Sequence, residues 1–87
     1  MPRISAFYGI VIYMYWNERD HPIAHFHAHH GEQRASMSVD GLVLAGSLDA
    51  RELRLVAEWA LLHRDELLEN WERARQSRPL VAIAPLP

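Results

Sequence analysis

Residues 25–45 read HFHAHHGEQRASMSVDGLVLA, and this stretch decides the fold. Apolar and polar side chains alternate along residues 25–30 and again along residues 34–39, as in β-strands that turn one face to a core. Tight turns are expected at Gly31-Glu32 and at Asp40-Gly41, where glycine readily supplies a positive φ. The stretch therefore predicts consecutive antiparallel strands joined by short turns.

The neighbouring segments extend this β-rich half in both directions. Residues 3–16 are rich in β-branched and aromatic side chains and predict strand structure, with Gly9 marking a bulge or turn that splits off a short first strand. Residues 17–24 are polar and contain proline, which indicates a loop. On the other side, Leu42–Ala45 predicts a short strand that ends at Gly46.

The second half of the chain is predicted to be helical. Apolar residues recur at spacings of three and four from about residue 50 to residue 76, and Ser47 or Asp49 can cap the first turn. One straight helix of this length would span about 40 Å, whereas a domain of this size is only about 30 Å across. The helix is therefore expected either to break around His63–Asp65, with Asp65 as a second N-cap, or to project onto a partner chain.

The last residues form an apolar tail, LVAIAPLP, after Pro79. Leu80–Ala84 could add an edge strand, which Pro85 would then end. The apolar character of the tail predicts that it packs against the domain or against another subunit.

These segments combine into one α+β domain over residues 1–87. A mostly antiparallel meander sheet within residues 3–46 is followed by a long or kinked helical segment within residues 49–77, packed on one face of the sheet. Residues 80–87 form the apolar tail.

Composition excludes several classes of protein. The chain has 87 residues and no cysteine, so disulfides, zinc–thiolate sites and iron–sulfur clusters are ruled out. The formal charge of −2 and the mixing of both signs make a nucleic-acid partner unlikely. The apolar run Ile10–Trp16 is too short to span a bilayer, and no secretory signal is visible. We expect a cytoplasmic protein without a membrane partner.

The histidine-rich strand carries the main candidate site. Alternation places His25, His27 and His29 on one face, opposite the apolar residues of the same strand. Histidines two apart on a strand point the same way and lie about 6.5–7 Å apart at Cα, so their imidazoles can converge on a metal ion. With His21 from the loop, they form a candidate site for a divalent metal, namely Zn, Ni, Cu or non-haem Fe.

Two other interpretations of the histidines stay open. They can be structural or interface residues, solvated or hydrogen-bonded on a half-exposed sheet face. Alternatively, one of them can act as a general base near Arg34, Ser36 or Ser38. Because no nucleophile motif, phosphate loop or paired-carboxylate spacing accompanies them, the sequence favours a protein that is not an enzyme.

Several motifs together resemble a known family. The chain reads P-x-I-S-x-F-x-G-I-x-I-x-M-Y over Pro2–Tyr15, H-P-x-x-H-F-H-A over His21–Ala28 and A-S-x-S-x-D-G over Ala35–Gly41. The helical half reads E-W-x-x-x-H-R-x-E-L-L-E-N-W over Glu58–Trp71. This combination is specific, covers nearly the whole chain and resembles the small bacterial family catalogued as domain of unknown function 4160.

The resemblance implies no activity but suggests a context. Family members are often encoded beside another small domain of unknown function, in arrangements that resemble toxin–antitoxin modules. This implies a regulatory interaction module with a homo-oligomeric or small protein partner, and the alternative of a ribonuclease-like toxin with a histidine base. His21, His25 and His27 match the family motif, whereas His29 and His30 depart from it.

Overall fold

The sheet begins with a hairpin. The computed structural model describes residues 3–16 and 22–87 of the chain. Strand β1 (Arg3–Phe7) pairs antiparallel with β2 (Ile10–Tyr13). Gly9 lies in the turn between them, so the prediction that it splits the N-terminal β-segment is confirmed.

Three further strands complete a five-stranded sheet. They are β3 (His25–His30), β4 (Gln33–Ser38) and β5 (Val43–Ser47). The spatial order is β1-β2-β3-β4-β5 and every neighbouring pair is antiparallel. Each strand thus lies beside the strand that precedes it in sequence, and the predicted meander is confirmed.

The last strand differs from its prediction. It was expected at Leu42–Ala45 with Gly46 as its end, but it runs from Val43 to Ser47 and includes Gly46. Gly46 has a φ of +75° and pairs with Ala35 on β4. The glycine therefore lets the strand continue in a conformation that other residues rarely adopt.

A shift in register gives β5 its unusual side-chain pattern. Ser36 pairs with Ala45, whereas the next residue on β4, Met37, pairs with Val43. Leu44 is therefore left without a partner on β4, as in a β-bulge. Such a bulge breaks the strict alternation of faces along the strand.

The helical segment breaks as predicted. Helix α1 (Ala50–Leu62) and helix α2 (Arg64–Arg75) meet at His63, whose backbone lies outside the helical region with φ −118° and ψ 27°. The N-cap of α2 is His63, so the prediction of Asp65 as that cap is wrong; Asp65 lies in the first turn. The break keeps the largest extent of the molecule at 33 Å.

The start of α1 is tied to the sheet. Of the two predicted caps, Ser47 and Asp49, Asp49 is the N-cap residue, but its side chain makes no hydrogen bond to the helix. The Gln33 side chain instead donates to Asp49 Oδ1 at 3.1 Å and accepts from the Asp49 backbone N–H at 3.0 Å. Neither helix, within residues 3–16 and 22–87, is long and apolar enough to cross a membrane.

The core lies between the helices and one face of the sheet. Trp59 of α1 is fully buried, and its ring centroid lies 5.4 Å from that of Phe7 and 5.6 Å from that of Phe26. The other large, fully buried apolar side chains are Ile4, Ile10, Ile12, Met14, Met37, Val56 and Leu67. The buried side chains that come from the sheet share the face on which the two helices pack.

The apolar tail packs on the domain without forming a strand. The edge strand predicted at Leu80–Ala84 is wrong: these residues have no regular secondary structure. Ile83 donates one backbone hydrogen bond to Ile4 of β1 at 2.8 Å, and the side chains of Ile83 and Leu86 are buried. The expected packing against the domain is therefore confirmed.

Two side chains hold the tail by hydrogen bonds to its backbone. The buried Asn70 of α2 donates from Nδ2 to the Val81 carbonyl at 2.8 Å and accepts at Oδ1 from the Val81 N–H at 2.9 Å. The Trp59 indole donates to the Ala84 carbonyl at 2.9 Å. Side-chain hydrogen bonds thus replace the ladder that a strand would have made.

Candidate functional site

The histidines lie on the sheet face opposite the main core. On β3 and β4, His27 pairs with Ser36 and His29 pairs with Arg34, and directly paired residues of antiparallel strands point to the same side. Tyr13 of β2 pairs with His27 on the other flank. The histidines of β3 therefore share this face with polar side chains of β4.

Aromatic contacts fix the orientation of two imidazoles. The Tyr13 ring lies 4.6 Å from the His29 ring, and the Tyr15 ring lies 4.7 Å from the His27 ring. The two tyrosine rings are nearly parallel, with centroids 6.3 Å apart. Which histidine each tyrosine contacts depends on the register of the strands, which the alternation of side chains alone does not specify.

His25 does not lie on an open surface as the alternation suggested. It is only 3% exposed, because Trp71 of α2 packs against it with ring centroids 4.9 Å apart. Its Nδ1 lies 2.9 Å from the Ile23 carbonyl oxygen, and its ring meets that of His27 edge-on at 5.2 Å. His25 is therefore a buried link between the histidine face and the helices.

Two adjoining depressions lie on this face. The first has a volume of about 300 Å³ and is lined by Pro22, Ile23, His25, His27, Ser36, Leu44 and Ala45. The second has a volume of about 240 Å³ and is lined by Tyr15, His27, His29, Arg34, Ala35, Ser36, Ala45 and Gly46. The two share the His27–Ser36 pair, in which Ser36 Oγ lies 3.3 Å from His27 Nδ1.

No pattern in the sequence predicts Leu44 or Ile23 in this site. Regular alternation would place only one of Leu44 and Ala45 on the histidine face, but both line the first depression. The bulge in β5 explains why both side chains lie on this face. In the sequence, the glycine at position 46 is the feature that could have indicated such a bulge. Ile23 belongs to a segment interpreted simply as a loop.

The metal site stays a prediction. No group of three or more histidine, cysteine, aspartate or glutamate side chains within residues 3–16 and 22–87 could hold a metal ion. His21, the proposed loop ligand, lies outside the described residues. Of the remaining ligands, the structure brings the rings of His25 and His27 into contact, while His29 packs on Tyr13.

The other two histidines have separate surroundings. His63 lies on the helical side, where its Nδ1 is 2.6 Å from Glu66 Oε1. The His30 ring lies beside Gly9 in the first turn. Neither residue lines either depression on the histidine face.

His29 has an altered acidity. Burial lowers its pKa below the ordinary value of 6.5, and electrostatic interactions with Arg34 and then with His27 lower it further. His29 is therefore neutral at pH 7, with one ring nitrogen able to donate and one able to accept.

The Arg34→Gln variant tests this electrostatic coupling. Removing the guanidinium charge is expected to raise the pKa of His29 part of the way towards 6.5, since burial of the ring remains. The pKa is read from an NMR titration of the imidazole carbon-bound protons. Arg54→Gln, an exposed change on α1, is the matched control and should leave the titration unaltered. A His29 pKa that falls or stays constant in Arg34→Gln would contradict this account.

The fold and this face define the class of protein: a small α+β meander with two helices on one face and a histidine–tyrosine surface on the other. Residues 9–72 match the family model described as a domain of unknown function (DUF4160). The match spans more than half of the chain, so the protein belongs to this family, as its motifs indicated. Comparisons with curated proteins and with solved structures gave no significant match.

Proposed function

We propose that the protein is a cytoplasmic interaction module of a toxin–antitoxin-like pair, which binds its partner by strand pairing at β5. The observation that carries the proposal is the contrast between the two edges of the sheet. Strand β5 forms an edge with no covering segment among the described residues, and all five of its residues are exposed. The opposite edge, β1, carries the tail through the hydrogen bond between Ile83 and Ile4.

The composition of the β5 edge supports strand pairing. Charged side chains and proline are two of the features that protect an edge strand from pairing with another chain. Residues 41–48 contain neither of them. Leu42 is 67% exposed, and the side chains of Val43 and Leu44 are exposed as well. An open, uncharged and apolar edge of this kind is a template for an additional strand.

The apolar surface continues from the edge onto α1. Gly41 lies against Ala57, since a Cβ built at Gly41 would be 3.3 Å from the Ala57 Cβ. Leu61 is one helical turn beyond Ala57 on the same side of α1, and it is 76% exposed. A partner strand on β5 would therefore meet apolar side chains from both the sheet and the helix.

In the isolated chain we expect a second copy to occupy this edge. Two β5 strands related by a twofold axis present complementary unpaired N–H and C=O groups, and the absence of charge in residues 41–48 removes like-charge repulsion. A heterologous partner would compete for the same edge. The proposal thus predicts a homodimer, which dissociates when a partner protein binds to the β5 edge in place of the second copy.

Val43→Lys is the variant that tests this proposal. A lysine on the exposed edge strand should block pairing without affecting the core, because Val43 lies outside the buried cluster. Val81→Lys is the matched control, since Val81 is similarly exposed but lies on the tail. Sedimentation velocity over a hundredfold range of concentration should give a dimer for the wild type and for Val81→Lys, and a monomer for Val43→Lys.

Other outcomes are equally clear. A wild-type chain that stays monomeric up to millimolar concentration and retains no partner on affinity purification would refute strand pairing at β5. A dimer that survives in Val43→Lys but not in Val81→Lys would place the interface at the tail instead.

A further inference from the structure

The two adjoining depressions on the histidine face differ in chemistry. One is lined by Arg34, His29 and Ser36, whereas the other is lined mainly by apolar side chains, including Ile23 and Leu44. We propose that together they bind a nucleoside monophosphate, with the phosphate beside Arg34 and the base in the apolar depression. This site adjoins the proposed pairing edge, since Leu44, Ala45 and Gly46 of β5 line its walls, whereas Val43 lines neither depression.

Arg34 supplies the positive charge for the phosphate. Its side chain is exposed, and it forms no ion pair with any carboxylate in the part of the chain that the structure describes. Of the described residues that line the second depression, none is acidic. A guanidinium group with two parallel donors matches the geometry of a phosphate group, so Arg34 can bind it in bidentate fashion.

Two neutral donors flank the arginine. His29 faces it across the β3–β4 pair, and the Ser36 hydroxyl lies two residues along the same strand and on the same face. Because His29 packs on Tyr13, its imidazole is held in place before any ligand binds. Prepositioned donors lose little conformational entropy on binding, and this favours a specific anion site.

The apolar depression suits a planar ring. Ile23 and Leu44 form part of its wall and are both about half exposed, so a ligand that covers them removes apolar surface from water. The His25 and His27 rings add flat, polar-edged surfaces on another side. A nucleobase combines an apolar face with hydrogen-bonding edges, which is the combination this lining can contact.

Charge and size favour a small ligand over a nucleic-acid strand. Among the described residues that line the two depressions, Arg34 is the one arginine, and the whole chain carries a formal charge of −2, whereas nucleic-acid backbones are bound by many cations. The larger depression, of about 300 Å³, lies at the lower end of the range of small-molecule sites, and the adjoining one, of about 240 Å³, extends it. The same chemistry occurs in a free mononucleotide and in the terminal nucleotide of an RNA, which the experiment must distinguish.

The test compares three probes by NMR titration of isotope-labelled protein: AMP, adenosine and inorganic phosphate. We expect AMP to bind more tightly than adenosine or inorganic phosphate alone. We also expect it to shift the NMR signals of residues that line both depressions. Arg34→Gln should weaken AMP and phosphate binding about tenfold and leave adenosine binding unchanged. Arg54→Gln, on the opposite side of the sheet, is the matched control and should bind all three probes as the wild type does.

A second variant probes the apolar half. Leu44→Ser should weaken AMP and adenosine binding about five- to tenfold without affecting phosphate. Titration of the Val43→Lys variant with AMP separates this site from strand pairing, since nucleotide binding is expected to persist in the monomer. A short RNA with a 5′-phosphate then distinguishes the sources: tighter binding than AMP assigns the site to an RNA terminus, and equal or weaker binding assigns it to the free nucleotide.

The outcomes that overturn the proposal follow from the same measurements. If AMP binds no more tightly than adenosine, the proposed phosphate subsite beside Arg34 is refuted. Equal binding of AMP to Arg34→Gln and to Arg54→Gln, with both variants folded by circular dichroism, would show that the guanidinium does not contact the ligand. If AMP at millimolar concentration shifts no NMR signal, the histidine face does not bind the nucleotide.

Discussion

Replacing Gly46 by alanine is expected to destabilise the protein by about 3 kcal/mol or more, since the change combines backbone strain with a steric clash. The φ of Gly46 is +75°, and a Cβ at this position would lie 2.2 Å from the Arg34 carbonyl oxygen and 3.1 Å from its carbonyl carbon. Both atoms belong to the backbone of β4, so the strands themselves must separate. Equilibrium unfolding in urea measures the loss.

Gly31→Ala is the matched control for this prediction. Gly31 also has a positive φ, of +59°, but a Cβ there would meet nothing within 4 Å. Its replacement should cost only the strain of the left-handed conformation, about 1 kcal/mol. Equal losses in the two variants would show that the close approach at Gly46 does not matter, whereas a larger loss at Gly46 confirms the tight contact between β4 and β5.

Asn70→Leu is expected to destabilise the protein by about 2–3 kcal/mol. The substitution keeps much of the side-chain volume but removes both hydrogen bonds to the backbone of Val81. Because Asn70 is buried, the Val81 groups that faced it would meet an apolar side chain in place of a partner. Thermal unfolding followed by circular dichroism, with urea titration for the free energy, measures the effect.

The neighbouring exposed residue provides the control. Glu69→Gln changes a side chain that is 66% exposed and should alter the free energy of unfolding by less than about 0.5 kcal/mol. If Asn70→Leu were as stable as this control, burial of Ile83 and Leu86 alone would account for the position of the tail.

Local patterns predicted most of the sheet because a meander depends on neighbours in sequence. Alternation in β3 and β4, with turn residues at Gly31 and Asp40-Gly41, specifies which strands pair and which faces they share. The break at His63 followed from a comparison of helix length with domain size. In each case the necessary information lies within a few residues of the element concerned.

The errors concern contacts between distant parts of the chain. The tail was predicted as an edge strand because its side chains are apolar, yet hydrogen bonds from Asn70 and Trp59 hold its backbone instead. The continuation of β5 through Gly46 depends on the close approach of β4 at Arg34. Neither interaction leaves a periodic signal in the sequence.

The candidate site was predicted only in part for the same reason. The shared face of His27 and His29 follows from alternation, but the burial of His25 requires Trp71 to reach it from α2. The entry of Leu44 into the apolar depression requires the register shift in β5. Alternation therefore located the site, while its depth and its apolar wall arise from tertiary packing.

The contacts that anchor the tail also affect the rate at which the protein folds. The Tyr8 hydroxyl donates to the Pro87 carbonyl at 2.8 Å, a contact between residues 79 positions apart, and Ile83 reaches back to β1. Contacts that span nearly the whole chain slow folding, since the closure entropy is lost before the contact forms. During synthesis, the residues of the sheet emerge before the tail, which carries the carbonyl of Ala84 that accepts the hydrogen bond of the Trp59 indole. Until residues 80–87 emerge, the Trp59 indole lacks the Ala84 carbonyl as its hydrogen-bond partner, and β1 lacks its bond to Ile83.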